Sequence, residues 1–295
     1  MTTDDRIAIV TPSFARDFES CRDLNQSVIA FLPPQAKHYI IVDACDLNMF
    51  RPLANSRTVV AAVEDVLPRG YVKLRFSKKW WFSSPAMAMA KGWLIQQLVK
   101  LSAASALDEP VLVNVDSDVR FVRPVDPSLF IAGGRTRMYR LPNGVTAGMQ
   151  HFKWHRNICR LLDVPADELP MADYVGNVIS WDRTIVLRAL DHIERTTGKA
   201  WHVAYTRARS VGEYFVYGLY VDKVIGPDAA AVWIDDRSWC HTYWGPGPLL
   251  QSQVDSFASS MRADDVAFSI AGYTQTSPDV TRDATALALR LAAAS

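Results

Sequence analysis

Charge of one sign is what this 295-residue sequence lacks most plainly: 32 basic residues stand against 31 acidic, a formal net charge of +1. No overall field draws the chain to nucleic acid or an anionic membrane, so any anion must be held by a local site. Cysteine is sparse. Cys21, Cys45, Cys159 and Cys240 lie far apart with no CxxC pair, so neither a disulfide framework nor a structural zinc site is expected. Four buried thiols in a reducing cytoplasm are expected instead. No run is long and apolar enough to span a bilayer. The start, Met1-Thr2-Thr3-Asp4-Asp5-Arg6, lacks the basic and apolar regions of a signal peptide, so a cytoplasmic protein without a transmembrane segment is expected. Internal repeats, low-complexity tracts and a clear linker are missing too. So is a basic, glycine-rich loop after the first apolar run, the usual grip for a nucleoside triphosphate.

What is present suits an ordinary packed core, with 49% of residues hydrophobic and 21% charged. The length fits one large α/β domain, with or without an appended lobe. Ile7-Ala8-Ile9-Val10-Thr11 halts at Pro12-Ser13, Tyr39-Ile40-Ile41-Val42 ends on Asp43, and Val111-Leu112-Val113-Asn114-Val115 ends on Asp116. Short apolar runs of this kind predict strands buried on both faces, as in a parallel sheet. Thr58 to Val63 is a weaker strand candidate. Helices are expected over 18–31, 85–104, 155–162, 183–196 and 279–294. In the second of these, Met87, Ala90, Leu94, Leu98 and Leu101 should face the core, while Trp93, Gln96, Gln97 and Lys100 share another side. Strands alternating with helices predict an α/β fold, a mostly parallel Rossmann-like sheet with helices on both faces and a mixed region beyond Pro124. Ligands gather at the carboxyl ends of such strands, where Thr11, Asp43 and Asp116 sit.

Asp116-Ser117-Asp118 is the one Asp-x-Asp in the chain. If the strand runs on to Asp118, its period of two puts both carboxylates on one face. Paired carboxylates suit a hard cation, Mg²⁺ or Mn²⁺, that takes phosphate oxygens as further ligands. The competing reading is a polar loop that caps the next element.

The series Thr11-Pro12-Ser13-Phe14, Asp43, Trp80-Trp81, the run from Lys91 to Leu101 and Val115-Asp116-Ser117-Asp118-Val119-Arg120-Phe121 resembles bacterial glycosyltransferase-like proteins of the GT-A superfamily, many with no assigned reaction. The likeness continues through Asp173-Tyr174-Val175-Gly176-Asn177 and Gly212-Glu213-Tyr214 to about Gly226. It implies a single GT-A-like domain over 1–295: a nucleotide-sugar half (1–124), an acceptor-side half (125–278) and a C-terminal helix (279–295). It further implies that Thr11, Pro12 and Ser13 cradle a nucleotide base and ribose, joined by Asp43. Asp116 and Asp118 would bind the metal and the ribose or diphosphate, with Ser117 between them at the donor and Gln97 and Lys100 lining the donor cleft. A loop at Gly176 would lie near the donor sugar. Glu213 would be the general base, with Asp173 in reserve, although transferases that retain configuration need no such base. His241 would be a third metal ligand. The implied function is Mn²⁺- or Mg²⁺-dependent transfer from a nucleotide diphosphate sugar to a hydroxyl acceptor such as a glycan, glycolipid or small molecule. A UDP-sugar is favoured by family habit, not by any residue of this chain. Three alternatives stand beside it: a nucleotidyltransferase, a phosphohydrolase using Asp116 as nucleophile, and a non-catalytic carbohydrate-binding protein. Trp80, Trp81, Trp233, Trp239 and Trp244 offer flat surfaces for sugar rings but also read as core. Arg69, Lys73, Arg75, Lys78 and Lys79 read as a solvated basic loop.

Overall fold

The apolar runs become a five-stranded sheet in the computed structural model, which describes residues 6–73, 79–82 and 89–294. Ile7–Pro12 forms β1, Ala36–Val42 β2, Thr58–Ala62 β3, Val111–Asn114 β4 and Ile179–Asp182 an edge strand, numbered β7 below. The spatial order is β7-β4-β1-β2-β3, with β1, β2, β3 and β4 parallel and β7 antiparallel to β4. Alternation along β1 and β4 sends Ala8, Val10 and Leu112 into one core and Ile7, Ile9, Val111 and Val113 into another. Both faces of the sheet are therefore buried, which is why these strands read as unbroken apolar runs.

Helices cover the two faces. Phe18–Phe31 (α1) packs Leu24 and Val28 into the core that holds Ile7 and Ile9. Gly92–Ala106 (α2) packs Leu94, Leu98 and Leu101 on the opposite face, with Ala8 and Val10. This helix starts later than the expected 85. Met89–Lys91 is a strand, so Ala90 belongs to a sheet and Met87 lies outside the described residues. Four apolar or small residues in a row cannot distinguish a strand from a first helical turn.

In the second half Val119–Phe121 (β5), Arg135–Tyr139 (β6), His151–Leu162 (α3), β7 and Arg183–Thr197 (α4) are followed by Glu213–Tyr220 (α5). Val232–Asp235 (β8), Cys240–Tyr243 (β9), Ala267–Ile270 (β10) and Pro278–Ala294 (α6) complete it. β9 runs parallel to β10, and β10 antiparallel to β5, so the segment after residue 240 closes against the chain just past Asp118. The largest core draws on residues from Ala8 to Val232, which ties the mixed half to the sheet. Among the described residues no helix is long and apolar enough to cross a membrane.

Candidate functional site

β1 and β4 are in register through Val10 and Asn114, so the residues that follow each emerge side by side at the carboxyl edge. There β4 does not run on to Asp118, and of the two readings the loop is the one found. The strand stops at Asn114, and a turn closed by Val119 N–H donating to the Asp116 carbonyl (3.1 Å) reverses the chain into β5. Asp and Ser favour such turns through their short polar side chains. Asp116 and Asp118 thus face one another across a turn and not along a strand.

Their surroundings differ. Asp116 has a side chain 51% exposed, and its Oδ1 accepts from Lys100 Nζ at 2.9 Å. Asp118 is half-buried, with Oδ2 accepting from the Gly272 N–H (2.9 Å) and Oδ1 from Ser269 Oγ (3.4 Å). Burial, with the Asp116 carboxylate beside it, pushes the Asp118 pKa up to about 6 against the opposing pull of the Gly272 N–H. A half-buried carboxylate raised by a neighbouring one in this way has the electrostatics a divalent cation relieves. Asp116 also keeps Oδ2 without a partner among the described residues, so the pair fits a cation completed by phosphate oxygens.

Lys100 is the centre of the site. It projects from α2 and is only 5% exposed, yet its ammonium also meets Glu213 Oε1 (3.1 Å) and Tyr214 Oη (2.9 Å) at the start of α5. Burial works against its charge, but Asp116, Tyr214 and Glu213 outweigh that and hold its pKa well above the ordinary lysine value. One ammonium therefore faces two carboxylates, Asp116 and Glu213. Gln97, one turn earlier on α2, takes the Tyr205 hydroxyl on Oε1 at 2.6 Å and leaves its buried Nε2 without a partner among the described residues. Asn114, on the same face of the sheet as α2, leaves both side-chain amide atoms unpaired among the described residues.

Several expected residues lie elsewhere or do other work. Thr11 is fully buried: its hydroxyl lies within hydrogen-bond reach of the Val115 carbonyl (2.9 Å) and His38 Nε2 (3.0 Å), so it is interior. Pro12 is buried as well. Ser13 does reach the motif, its Oγ 3.0 Å from Ser117 Oγ, which ties the loop after β1 to the Asp116 turn. Asp43 is paired with Lys73. Among the described residues, Asp43, Cys45 and Asp46 bring ligand atoms within 4.8 Å of one another, but Lys73 and the Ala15 N–H already occupy Asp43 and Asp46. Cys45 is exposed, against the expectation of four buried thiols. Of the basic stretch, Arg75 and Lys78 lie outside the described residues, as do the side chains of Trp80 and Trp81.

Glu213, only 5% exposed and bound to the Lys100 ammonium, has little room to meet an acceptor hydroxyl. Asp173 is also buried, its Oδ2 bonded to His151 Nδ1 (2.8 Å) and its Oδ1 to the Val175 N–H (3.1 Å). His241 is not brought to the pair. In register, Thr242 faces Ser269, the Asp118 partner, whereas His241 faces Phe268 on the other side of the small sheet. There its Nε2 donates to the Phe257 carbonyl at 2.9 Å and its ring stacks on Phe257.

Sequence reasoning missed Tyr214, Ser269, Gly272, and the ring tier Trp93–Trp154–His151, whose centroids are spaced 5.4 and 4.5 Å. It also missed a cavity of about 380 Å³ lined by Asp126, Arg137, Trp233, Asp235 and Trp239. Arg137 there is fully buried and bonds to Asp235 (2.7 Å), as does Trp239 Nε1 (2.8 Å).

No curated protein matches the chain. Among solved structures it is similar to a galactosyltransferase, LgtC, crystallised with donor and acceptor sugar analogs, at 12% identity over 95% of each chain and a TM-score of 0.49. A likeness that distant carries no functional argument. Residues 4–241 match the model of DUF6492, a family of unknown function, and the chain belongs to that family.

Proposed function

We propose that the protein is a metal-dependent glycosyltransferase of GT-A type, moving a sugar from a nucleotide diphosphate sugar, with UDP as the first nucleotide to test, to a hydroxyl acceptor. One observation carries the reading. Two mutually repelling carboxylates, Asp116 and Asp118, sit on a turn at the carboxyl edge of a parallel sheet, tied by Ser117 to the loop after β1. That edge is where α/β sheets hold nucleotides. Asp116 and Asp118 would hold Mn²⁺ or Mg²⁺, and such a cation supplies positive charge to a departing diphosphate.

The residues of the chain divide the remaining work. Lys100 orients Asp116 and offers a fixed positive charge beneath it. Glu213 and Tyr214 hold Lys100 in place, so Glu213 acts on position more than as a base. Ser13 and Ser117 shape the floor on which a ribose or phosphate would rest.

A carbohydrate-binding protein without catalysis is the second reading. It is favoured by the placement of His241 away from the pair and by the engagement of Glu213 with Lys100.

Calorimetric titration of UDP and of GDP, each with Mn²⁺ and with chelator, separates the two. The transferase reading expects metal-dependent binding of one nucleotide that vanishes in the Asp116→Ala/Asp118→Ala variant. Binding of neither nucleotide under either condition refutes it.

A further inference from the structure

The face of α2 that carries Lys100 continues outward to solvent. Trp93, Gln97 and Lys100 stand at i, i+4 and i+7, one stripe of the helix. Along it exposure falls from 47% at Trp93 to 2% at Gln97 and 5% at Lys100. The stripe therefore runs from an open indole down to the ammonium on Asp116.

Trp93 does not stand alone. Its ring lies 5.4 Å from that of Trp154 on α3, and Trp154 stacks on His151 at 4.5 Å and 27°. Gly212, next to Glu213, makes this possible. A Cβ there would fall 2.6 Å from the Trp154 ring, so any side chain would push the wall away from α5. The ring wall and the Lys100–Glu213 pair are thus one residue apart.

The wall is apolar on its faces and polar at its edges. Trp154 Nε1 and Gln97 Nε2 are buried N–H donors with no partner among the described residues. His151 gives Nδ1 to Asp173 at 2.8 Å, which fixes the ring and leaves Nε2 without a partner among the described residues. Unpaired buried donors are costly, so they mark a place where acceptor oxygens belong. The two nearby carboxylates, Asp173 and Glu213, are already engaged, which argues against a cationic ligand. A wholly apolar occupant would leave the donors stranded. A ligand with one apolar face and a rim of hydroxyls matches both properties, and a pyranose ring has both.

We propose that Trp93, Trp154 and His151 form a pyranose subsite beside Asp116, with Gln97 among its donors and Asp173 as the residue that positions His151. Its role as the acceptor subsite rests on the transferase reading above; sugar binding at the wall does not.

The test uses the full chain and simple probes, the methyl α- and β-pyranosides of glucose, galactose and mannose and of N-acetylglucosamine, followed by saturation-transfer NMR. At least one pyranoside should receive saturation through the C–H protons of one ring face. Trp93→Ala, at an exposed position that leaves the fold intact, should weaken that binding about tenfold (1.4 kcal/mol). Trp154→Phe keeps a ring but removes the Nε1 donor, and should weaken it too. Asp116→Ala/Asp118→Ala should leave pyranoside binding unchanged while removing metal-dependent nucleotide binding, so failure of the subsite and failure of the transferase reading are told apart. No transfer to any of these pyranosides, or transfer that Trp93→Ala leaves untouched, overturns the subsite.

Discussion

Replacing Lys100 by Met removes the ammonium that meets Asp116 while keeping a similar volume. Asp116 has a half-exposed side chain and can turn to water, so its loss costs little. Glu213 cannot. It is 5% exposed, and without Lys100 its carboxylate is a buried charge with no counter-ion. Breaking a buried pair from one side costs about 3–5 kcal/mol, whereas removing both charges is often close to neutral. Unfolding entropy near 2.1 cal/mol/K per residue over 295 residues gives roughly 0.6 kcal/mol/K, so the single variant should lose about 5–8 °C in Tm. Lys100→Met/Glu213→Gln should regain most of it. Urea unfolding of the wild type, both single variants and the double variant closes the cycle. The single variant should also bind Mn²⁺ more tightly in the absence of nucleotide, because the ammonium no longer competes for Asp116. A loss under about 1 kcal/mol in Lys100→Met, or a double variant no more stable than the single, refutes the view that Lys100 and Glu213 are a buried, mutually dependent pair.

Stability should also depend on the fully buried His38, whose pKa burial lowers to about 3. The unfolded chain takes up a proton below about 6.5 and the folded chain does not until about 3, so His38 favours folding less and less as pH falls across that window. Between pH 6.5 and 5 the wild type should lose about 2 kcal/mol more than His38→Gln, and parallel pH–stability curves would count against it. The difference between the two proteins matters because Asp118, raised to about 6, acts with the opposite sign. Thiol titration should find one fast-reacting group in the native protein, Cys45, and four in denaturant. Burial keeps the Cys21 and Cys240 thiols near 12 and Cys159 near 11. A Cys45→Ser variant that still reacts rapidly would contradict the assignment.

Much of the frame was legible because its signals are local. β1, β2 and β4 are apolar runs that end on polar residues, and α1, α4 and α6 fall within a few residues of where their patterns predict. α5 left no such signal. All eight of its residues are buried, so it has no polar face and no helical period to read. α3 begins at His151, four residues before the expected start, and the extra turn carries both His151 and Trp154. At Asp116 the sequence leaves strand and loop both open, because the preceding run is strongly apolar while Ser117 is a turn former. His241 failed on parity: one residue either way would have placed it on the face that meets Asp118. The pairs that define the site, Lys100 with Glu213 and His151 with Asp173, join residues 113 and 22 apart. No single-sequence pattern specifies such pairs, because they are set by how helices pack after the strands have formed.

Asp118 has a dependence of another kind. Its carboxylate is fixed from Ser269 and Gly272, some 150 residues downstream and beyond residues 4–241, the part of the chain that the family model matches. The acidic turn and its fastener thus lie far apart in the chain, and one can be altered without touching the other. The freedom of the second acid is then set by side chains and backbone around residues 269–272, with every residue of the turn left in place.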